Sequence, residues 1–452
     1  MSKIPVNKKN VVLCIIVALL LCIAQITGNT LLILGCIGIY VIMVARCCIQ
    51  DFTLPILLFF LPWSPIIRTD PESVSFYTLT LVMVCLISVI KKRFAFRKYQ
   101  IKAGIILLFL TLLSKLLDAS GLTFAYVAFL MMIVFFPVVK EEVYKNKYDF
   151  YQAAVFFALG VIIASICALS FAQYPNIGRF IRVDAYLTII RRSGFYGDAN
   201  FYSAQVLAAL AGVLSLIIRE EGQGRRLFLG VLILLLAYCG LLSGSKSFVL
   251  VVVVVVVIWI VAILKMRGRA GLKIVLILTM AMLVAYIATS ALFGGLIQVL
   301  LTRFSGANDL ESFTTGRISL WETYLTAVFS DIKVFFLGKG YVSSLVGELA
   351  SHSTPIQILY QLGVLGTPVL CYWVVCFYRR AYRVERRRRM FDLKILIVSV
   401  GCFLPWMAID VLFFDEFFLL QWYVLLALNR QSGPVTRIET RTEVSYGREN
   451  EK

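Results

Sequence analysis

The chain has 452 residues, of which 60% are hydrophobic and 15% charged, and its net charge is +19. Soluble domains carry about a quarter charged residues, and no polar stretch here reaches the roughly 50 residues of a small domain, so the composition excludes a soluble enzyme. Basic residues do not alternate with aromatic ones, which argues against nucleic-acid binding, and the 11 cysteines show no metal-site or disulfide spacing. The sequence therefore predicts an integral membrane protein.

Apolar runs long enough to cross a bilayer recur along the whole chain. A helix needs roughly 20 mostly apolar residues to span about 30 Å of hydrocarbon, and a backbone in lipid must be helical or form a closed barrel. The runs are too long for barrel strands, so we predict an all-α fold, a polytopic transmembrane helix bundle of about 12–14 spans. The candidate spans are 11–28, 30–48, 52–67, 75–90, 103–118, 121–139, 152–173, 200–218, 226–242, 247–265, 273–300, 355–378, 393–412 and 416–429.

Lysines and arginines are distributed unevenly between alternate loops. With the N-terminus inside, most of the 44 basic residues fall in cytoplasmic loops, as the positive-inside rule requires. We therefore expect a multi-pass protein of the cytoplasmic (inner) membrane with both termini cytoplasmic. The basic run 379–389 is either a stop-transfer anchor or a site for anionic lipids.

The predicted spans and loops divide the chain into four parts. They are N-terminal transmembrane helices at 1–173, a core at 174–378, C-terminal transmembrane helices at 379–430 and a cytoplasmic tail at 431–452. The core contains two long extracytoplasmic loops, 174–199 and 301–354, and the second is expected to be partly helical. The tail is rich in charge and is expected to be disordered.

Ten basic residues fall in loops predicted to lie outside, against the charge rule. Most are arginines, whose planar guanidinium matches phosphate and carboxylate groups. Long loops between membrane helices are often functional, so these cations are candidates for binding an anionic ligand. They are Arg68, Arg179, Arg182, Arg191, Arg192, Lys246, Arg303, Arg317, Lys333 and Lys339.

The first long loop ends in a motif that enters a predicted helix. Arg191 and Arg192 precede a glycine turn at Gly194, and Asp198 and Asn200 can cap the following helix. Arginines beside a helix N-terminus form an anion site, because free amides and the helix dipole favour negative charge. The alternative is that both arginines only extend to lipid headgroups.

A second polar motif, Ser243–Ser247, separates two very apolar spans. Its lysine, Lys246, is placed at an outer turn where it could contact a phosphate. The alternative is that the segment is only a turn between helices, and the spacing alone does not decide between the two.

The second long loop carries Thr315-Gly316-Arg317, then Trp321, and ends near His352, the only histidine of the chain. Histidine exchanges protons near neutral pH more readily than other side chains, although a single histidine is equally well a plain surface residue. One histidine cannot form a histidine-rich metal site. A cation site made of carboxylates alone stays open, with the candidate ligands Asp309, Glu311, Glu322 and Glu348.

These motifs, in this order, resemble those of the O-antigen ligase and O-antigen polymerase superfamily over about residues 180–370. Two positions differ: Ala199 stands where family members usually have proline, and Lys246 stands where arginine is common. The matching residues are Arg191, Arg192, Gly194, Asp198, Asn200, the Ser243–Ser247 turn, Thr315, Gly316, Arg317, Trp321, His352, Gly363 and Gly366.

The resemblance implies a metal-independent, inverting glycosyl transfer at the outer face of the membrane, with no cofactor. The donor would be a glycan on a polyprenyl diphosphate carrier, and the acceptor would be lipid-linked. Arg191, Arg192 and Arg317 would hold the diphosphate with Lys246, and His352 and Arg317 would be catalytic. Supporting roles fall to Asp198, Asn200 and Trp321.

We expect a polymerase, which transfers the growing glycan onto a lipid-linked repeat unit. A ligase would use the same chemistry with another lipid or protein acceptor. Flippase and chain-length regulator proteins are further candidate partners.

A transporter of anions or lipid-linked glycans is the alternative from another class, but it should place ionisable residues deep within spans, where Lys115 and Asp410 are the main candidates. A scaffold would leave the outside arginines unexplained.

Overall fold

The computed structural model describes residues 6–92, 96–117, 124–145, 147–181, 183–186, 189–218, 220–288, 311, 314, 316–340, 350–387 and 393–429. Within these ranges, residues 124–125, 183–186, 189–190, 281–288 and 384–387 are described by their backbone alone. The predicted disordered tail, 431–452, lies outside the described residues.

The first half of the chain contains nine helices in its described part. They are α1 (Lys8–Thr27), α2 (Thr30–Ile49), α3 (Thr53–Phe60), α4 (Phe76–Lys91), α5 (Lys98–Leu117), α6 (Phe124–Phe135), α7 (Lys140–Tyr144), α8 (Phe150–Phe171) and α9 (Pro175–Gly178). Short 3-10 helices at Leu61–Ile66 and Phe136–Val138 extend α3 and α6.

A small antiparallel hairpin separates the two halves: β1 (Val183–Tyr186) pairs with β2 (Ile189–Arg192), with Val183 opposite Arg192. The second half continues with α10 (Ala199–Ile217), α11 (Gln223–Leu242), α12 (Lys246–Arg267), α13 (Arg269–Ala288), α14 (Arg317–Ser330), α15 (Ile332–Leu337), α16 (Thr354–Arg387), α17 (Leu393–Phe403) and α18 (Asp415–Asn429). A 3-10 helix at Leu404–Met407 follows α17.

Eight of these helices are long and apolar enough to cross a membrane, which confirms the predicted all-α, multi-pass fold. They are α1, α2, α5, α8, α10, α11, α12 and residues Thr354–Arg383 of α16. The other predicted spans coincide with shorter helices or, at 273–300, with α13, whose described part ends at Ala288. The segment 301–354, which the predicted topology places outside and which we call the outer segment, contains α14 and α15 in its described part.

The valine-rich helix α12 shows why these segments are helical. Residues Val251–Val257 are all β-branched, a composition that favours strands in water, but an isolated apolar segment of this length in lipid can satisfy its backbone only as a helix. Ser245 caps its start and Gly268, with φ of 51°, ends it. α10 lies at the centre of the bundle, almost entirely buried, and packs against α8, α11, α12 and α17.

Side-chain contacts sort the helix ends into two groups. At one end of the bundle, Lys91 and Lys145 both pair with Asp51, and Asn429 donates to the carbonyl of Val143. At the other end, the corresponding contacts are Gln25 to the carbonyl of Arg68, Asn176 to that of Ile26, Thr78 to Asp415, and Thr354 to the carbonyl of Ile409. These groups agree with the alternation of inside and outside loops in the predicted topology.

A kink in α16 attaches the outer segment to the bundle. Gly363 has φ of 63° and ψ of −175°, outside the helical range. One turn before it, the carbonyls of Tyr360 and Gln361 accept hydrogen bonds from the backbone N–H groups of Lys339 and Gly340, at 2.8 and 3.0 Å. The segment that follows α15 is therefore held against α16 by main-chain hydrogen bonds.

Candidate functional site

A cavity of about 690 Å³ lies where α10, α12, α14 and α16 begin. This volume is within the usual range of small-molecule sites. Six of the eight site residues chosen from the sequence line it: Arg191, Asn200, Lys246, Arg317, Trp321 and His352. Motifs separated by more than 150 residues along the chain therefore meet in one place.

Hydrogen bonds join the first two motifs. Arg191, at the end of β2, donates from Nε to the Ser243 carbonyl at 3.2 Å and from Nη2 to Asn200 Oδ1 at 3.4 Å. The Ser245 hydroxyl donates to the same Asn200 oxygen at 2.9 Å. Asn200 thus receives bonds from both sides and fixes the Arg191 guanidinium beside the turn at 243–245.

Asp198 does not line the cavity, but it determines the local structure. Its Oδ1 accepts hydrogen bonds from the backbone N–H groups of Asn200 and Phe201, at 2.6 and 3.3 Å, as the N-cap of α10. This cap was expected from the sequence. Its carboxylate also interacts electrostatically with Arg317 and His352.

Arg192 lies away from the cavity that Arg191 lines. The two arginines are neighbours in a strand, and successive side chains of a strand point to opposite faces. Arg192 lines a small recess of about 10 Å³ with Gly194 and Tyr202. The sequence could not separate the two arginines, because the hairpin was not predicted.

Lys246 is the first residue of α12, directly after the N-cap Ser245. A cation in the first turn opposes the helix dipole, which favours negative charge there. Lys246 lies in the cavity wall, so an anion bound in the cavity would offset this unfavourable interaction.

Arg317 opens α14, after Gly316 in the left-handed conformation with φ of 78°. Burial lowers the pKa of Arg317, and the nearby Arg191 lowers it further while Asp198 raises it. A guanidinium keeps its proton at neutral pH in spite of such shifts. Arg317 is therefore a half-buried cation that faces a second cation, Arg191.

His352 lies in a segment with an unusual backbone. Its φ is 49°, a region that few non-glycine residues adopt. The flanking serines hold it: the Ser351 hydroxyl donates to the Ser353 carbonyl at 3.0 Å, and the indole N–H of Trp321 donates to the Ser351 carbonyl at 3.1 Å. Trp321 therefore connects α14 to the histidine segment.

Burial lowers the pKa of His352 below its ordinary value, because the charged imidazolium is disfavoured there. Asp198 opposes this shift and Arg317 adds to it. The imidazole is therefore neutral at pH 7, and it can accept a proton from a group bound in the cavity.

The charge and the walls of the cavity suit an amphipathic anion. Among the described residues that line it, Arg191, Lys246 and Arg317 are cationic and none is acidic. Four helices also begin beside it, and their positive dipole ends add to the potential. Part of the cavity wall is apolar and consists of Leu250, Val251 and Val254 of α12 with Leu404 and Met407.

The other cations predicted to lie outside have different surroundings. Arg68 donates to the Pro71 carbonyl at 2.9 Å, and Arg179 pairs with Asp70 at 3.5 Å, so both stabilise a neighbouring loop. Lys333 and Lys339 belong to the segment around α15. Arg182, Arg303 and Thr315 lie outside the described residues.

The candidate cation site made of carboxylates alone lies partly outside the described residues. Of the four candidate carboxylates, Asp309 and Glu348 lie outside the described residues, and Glu311 accepts hydrogen bonds from Ser319. Within the described part of the chain, no group of three or more histidine, cysteine or acidic side chains is placed to hold a metal ion.

The contacts that position the cavity residues could not be read from the sequence, although the Ser243–Ser247 turn was recognised as a motif. The Ser243 carbonyl, Ser245 and Ser351 position the cavity residues, and the apolar wall from Leu404 to Met407 comes from a distant segment.

Comparisons with protein-family models and with curated protein sequences find no match to the chain.

Proposed function

We propose that the protein is a polysaccharide polymerase that transfers a growing glycan from a polyprenyl diphosphate carrier onto a lipid-linked repeat unit. One observation carries this proposal: three cations and the only histidine, from four separate motifs, line a single cavity with an apolar wall. The resemblance of the same motifs to the O-antigen ligase and polymerase superfamily gives the reaction class.

The apolar wall supports a lipid-anchored substrate. Leu250 and Val254 line the cavity and are also 46% and 40% exposed on the surface of α12, a candidate span. Met407, from the 3-10 helix that packs against α12, also lines the cavity and is 49% exposed. A polyprenyl chain could therefore lie along α12 in the bilayer while its diphosphate reaches Arg191, Lys246 and Arg317.

In the proposed reaction, the acceptor hydroxyl oxygen attacks the anomeric carbon of the donor sugar. The bond from that carbon to the diphosphate oxygen breaks, and the leaving diphosphate takes the electron pair. Arg191, Lys246 and Arg317 stabilise the negative charge that develops on it. His352, neutral at pH 7, takes the hydroxyl proton.

The position of the site favours an enzyme over a transporter. The two residues that could mark a transport path do not lie at the centre of a span: Lys115 is in the last turn of α5, and Asp410 follows the 3-10 helix Leu404–Met407. The polar groups of the cavity collect at helix ends instead.

The test is a purified-enzyme assay with a synthetic polyprenyl-diphosphate repeat unit, in the presence of a metal chelator. We expect wild type to form a ladder of products, and His352→Ala to form none while reaching normal membrane levels. A ladder of equal yield from His352→Ala would remove the histidine from the mechanism. Transfer of the glycan only to a different added acceptor would identify a ligase.

A further inference from the structure

We call the cavity described above, which His352 and Arg317 line, the His352 cavity. A second cavity of about 580 Å³ lies far from it, at the opposite end of α16. α16 begins two residues after His352, and Arg379 lies about 25 residues further along, which corresponds to about 40 Å at 1.5 Å per residue. This distance is close to the full thickness of a bilayer with its headgroups. The second cavity, which we call the basic pocket, therefore lies at the headgroup level of the other leaflet.

The walls of the basic pocket come from two distant segments. Arg97 and Lys98, at the start of α5, face Arg379, Arg380 and Arg383 of α16. Among the described residues, one carboxylate pairs with this cluster: Glu141 lies 3.6 Å from Arg97 and 3.8 Å from Arg380. Five cations with one carboxylate leave a strong positive potential in a concave site.

The floor of the basic pocket adds a hydrogen-bond donor. Lys140, 2% exposed, donates from Nζ to the Tyr99 hydroxyl at 3.0 Å, and Tyr99 lines the pocket. Since its oxygen accepts this bond, the phenol can donate its own proton to an acceptor in the pocket. Burial, with a smaller contribution from Arg97, lowers the pKa of Lys140 to about 8, and Glu141 opposes the shift.

We propose that the basic pocket binds the phosphate-bearing headgroup of an anionic phospholipid. A lipid is favoured over a soluble phosphate ester because the pocket continues onto an apolar surface of α16. There Tyr372, which lines the pocket, and Val375 are 51% and 64% exposed. The headgroup would bind the arginines while the acyl chains lie along this surface.

A plain stop-transfer anchor explains less. An anchor needs only cations in the headgroup region, in any arrangement. Here the arginines of α16 converge with Arg97 and Lys98, and Arg380 also lies 4.0 Å above the ring of Tyr144. The inference is independent of the proposed polymerase activity, because the basic pocket and the His352 cavity share no residue.

The test is native mass spectrometry of the purified full chain titrated with phosphatidylglycerol, phosphatidylcholine or glycerol 1-phosphate. The double variant Arg379→Gln/Arg383→Gln removes two pocket cations. Its control, Arg225→Gln/Arg269→Gln, removes two exposed arginines of other helix ends. Size-exclusion profiles and melting temperatures establish that all three proteins are folded.

We expect wild type and the control to retain phosphatidylglycerol in preference to phosphatidylcholine. The pocket variant should bind phosphatidylglycerol about 25-fold more weakly, since each cation near an anionic surface contributes about fivefold. Equal losses in the pocket variant and the control would reduce the effect to overall charge and overturn the proposal. Wild-type affinity in the pocket variant, or equally tight binding of glycerol 1-phosphate, would also overturn it.

Discussion

Arg191 and Arg192 are neighbours in sequence with the same chemistry, yet only one of them lines the His352 cavity. Arg191 contacts Ser243 and Asn200 there, and Arg192 lines a separate recess. The pair therefore provides a matched comparison, because both residues carry the same charge, lie in the same strand and are both half-buried.

Replacing Arg191 with Gln should lower kcat/KM for polymerisation by about 100-fold, the usual effect of removing one donor that stabilises developing negative charge. Arg192→Gln should stay within about threefold of wild type, because its side chain does not reach the same cavity. Both variants are assayed on the same donor at equal membrane levels. Equal losses in the two variants would mean that the cavity does not hold the diphosphate.

The protonation of His352 predicts the acid side of the pH profile. A group that acts as a base works when neutral, and burial holds the pKa of His352 below its ordinary value. The kcat/KM, which reports the free enzyme, should therefore be flat at pH 7 and fall only below about pH 6.5.

The matched variant is Asp198→Asn. Asp198 raises the pKa of His352, so its neutralisation should move the acid limb to lower pH, and asparagine keeps the capacity to cap α10. The measurement is the pH dependence of kcat/KM in both proteins. A limb that stays in place would show that another group is titrating.

At the scale of single elements, the kink of α16 decides where the outer segment docks. A Cβ at Gly363 would lie 2.5 Å from both the Gly338 nitrogen and the Phe336 carbonyl oxygen. The Ser114 hydroxyl donates to the Gly338 carbonyl at 2.7 Å, so α5, α15 and α16 meet at this point.

Gly363→Ala should destabilise the protein by about 1–3 kcal/mol, the strain of a backbone conformation that is essentially restricted to glycine, with a further contribution from the close contacts. The control is Gly35→Ala in α2, where a Cβ meets nothing within 4 Å and should be neutral or slightly stabilising. Melting temperatures in one detergent compare the two. A normal melting temperature for Gly363→Ala would contradict the close packing.

The sequence predicted elements better than their details. The runs of apolar residues predicted the helices, because lipid allows few other structures. It also predicted six of the residues that line the His352 cavity. It did not predict the hairpin that separates Arg191 from Arg192, since four-residue strands carry little periodic signal. The role of Trp321 as a donor to the Ser351 carbonyl depends on tertiary contact, which no local pattern encodes.

At the scale of the whole molecule, the contacts between helix ends define two sides, and the charge rule predicts which one is cytoplasmic. Ten of the native cysteines are buried, and Cys371 is exposed. A Cys371→Ser background therefore allows single exposed cysteines to be labelled with a membrane-impermeant maleimide.

In this background, Glu322→Cys should react in intact cells, because Glu322 is exposed on α14 beside the His352 cavity. Arg225→Cys, at the start of α11, should react only after the cells are permeabilised. The reverse pattern would invert the predicted topology and place the cavity in the cytoplasm.

The order in which the cavity parts leave the ribosome has a consequence for biogenesis. Leu404, Met407 and Ala408 complete the apolar wall together with α12, and Thr354 beside His352 is fixed by the Ile409 carbonyl and the N–H of Val411. A nascent chain that has inserted only as far as α16 thus has its arginines and its histidine but no closed site. Synthesis must reach the last helices before the cavity exists, so an incomplete chain in the membrane would lack the site that the proposed glycosyl transfer requires.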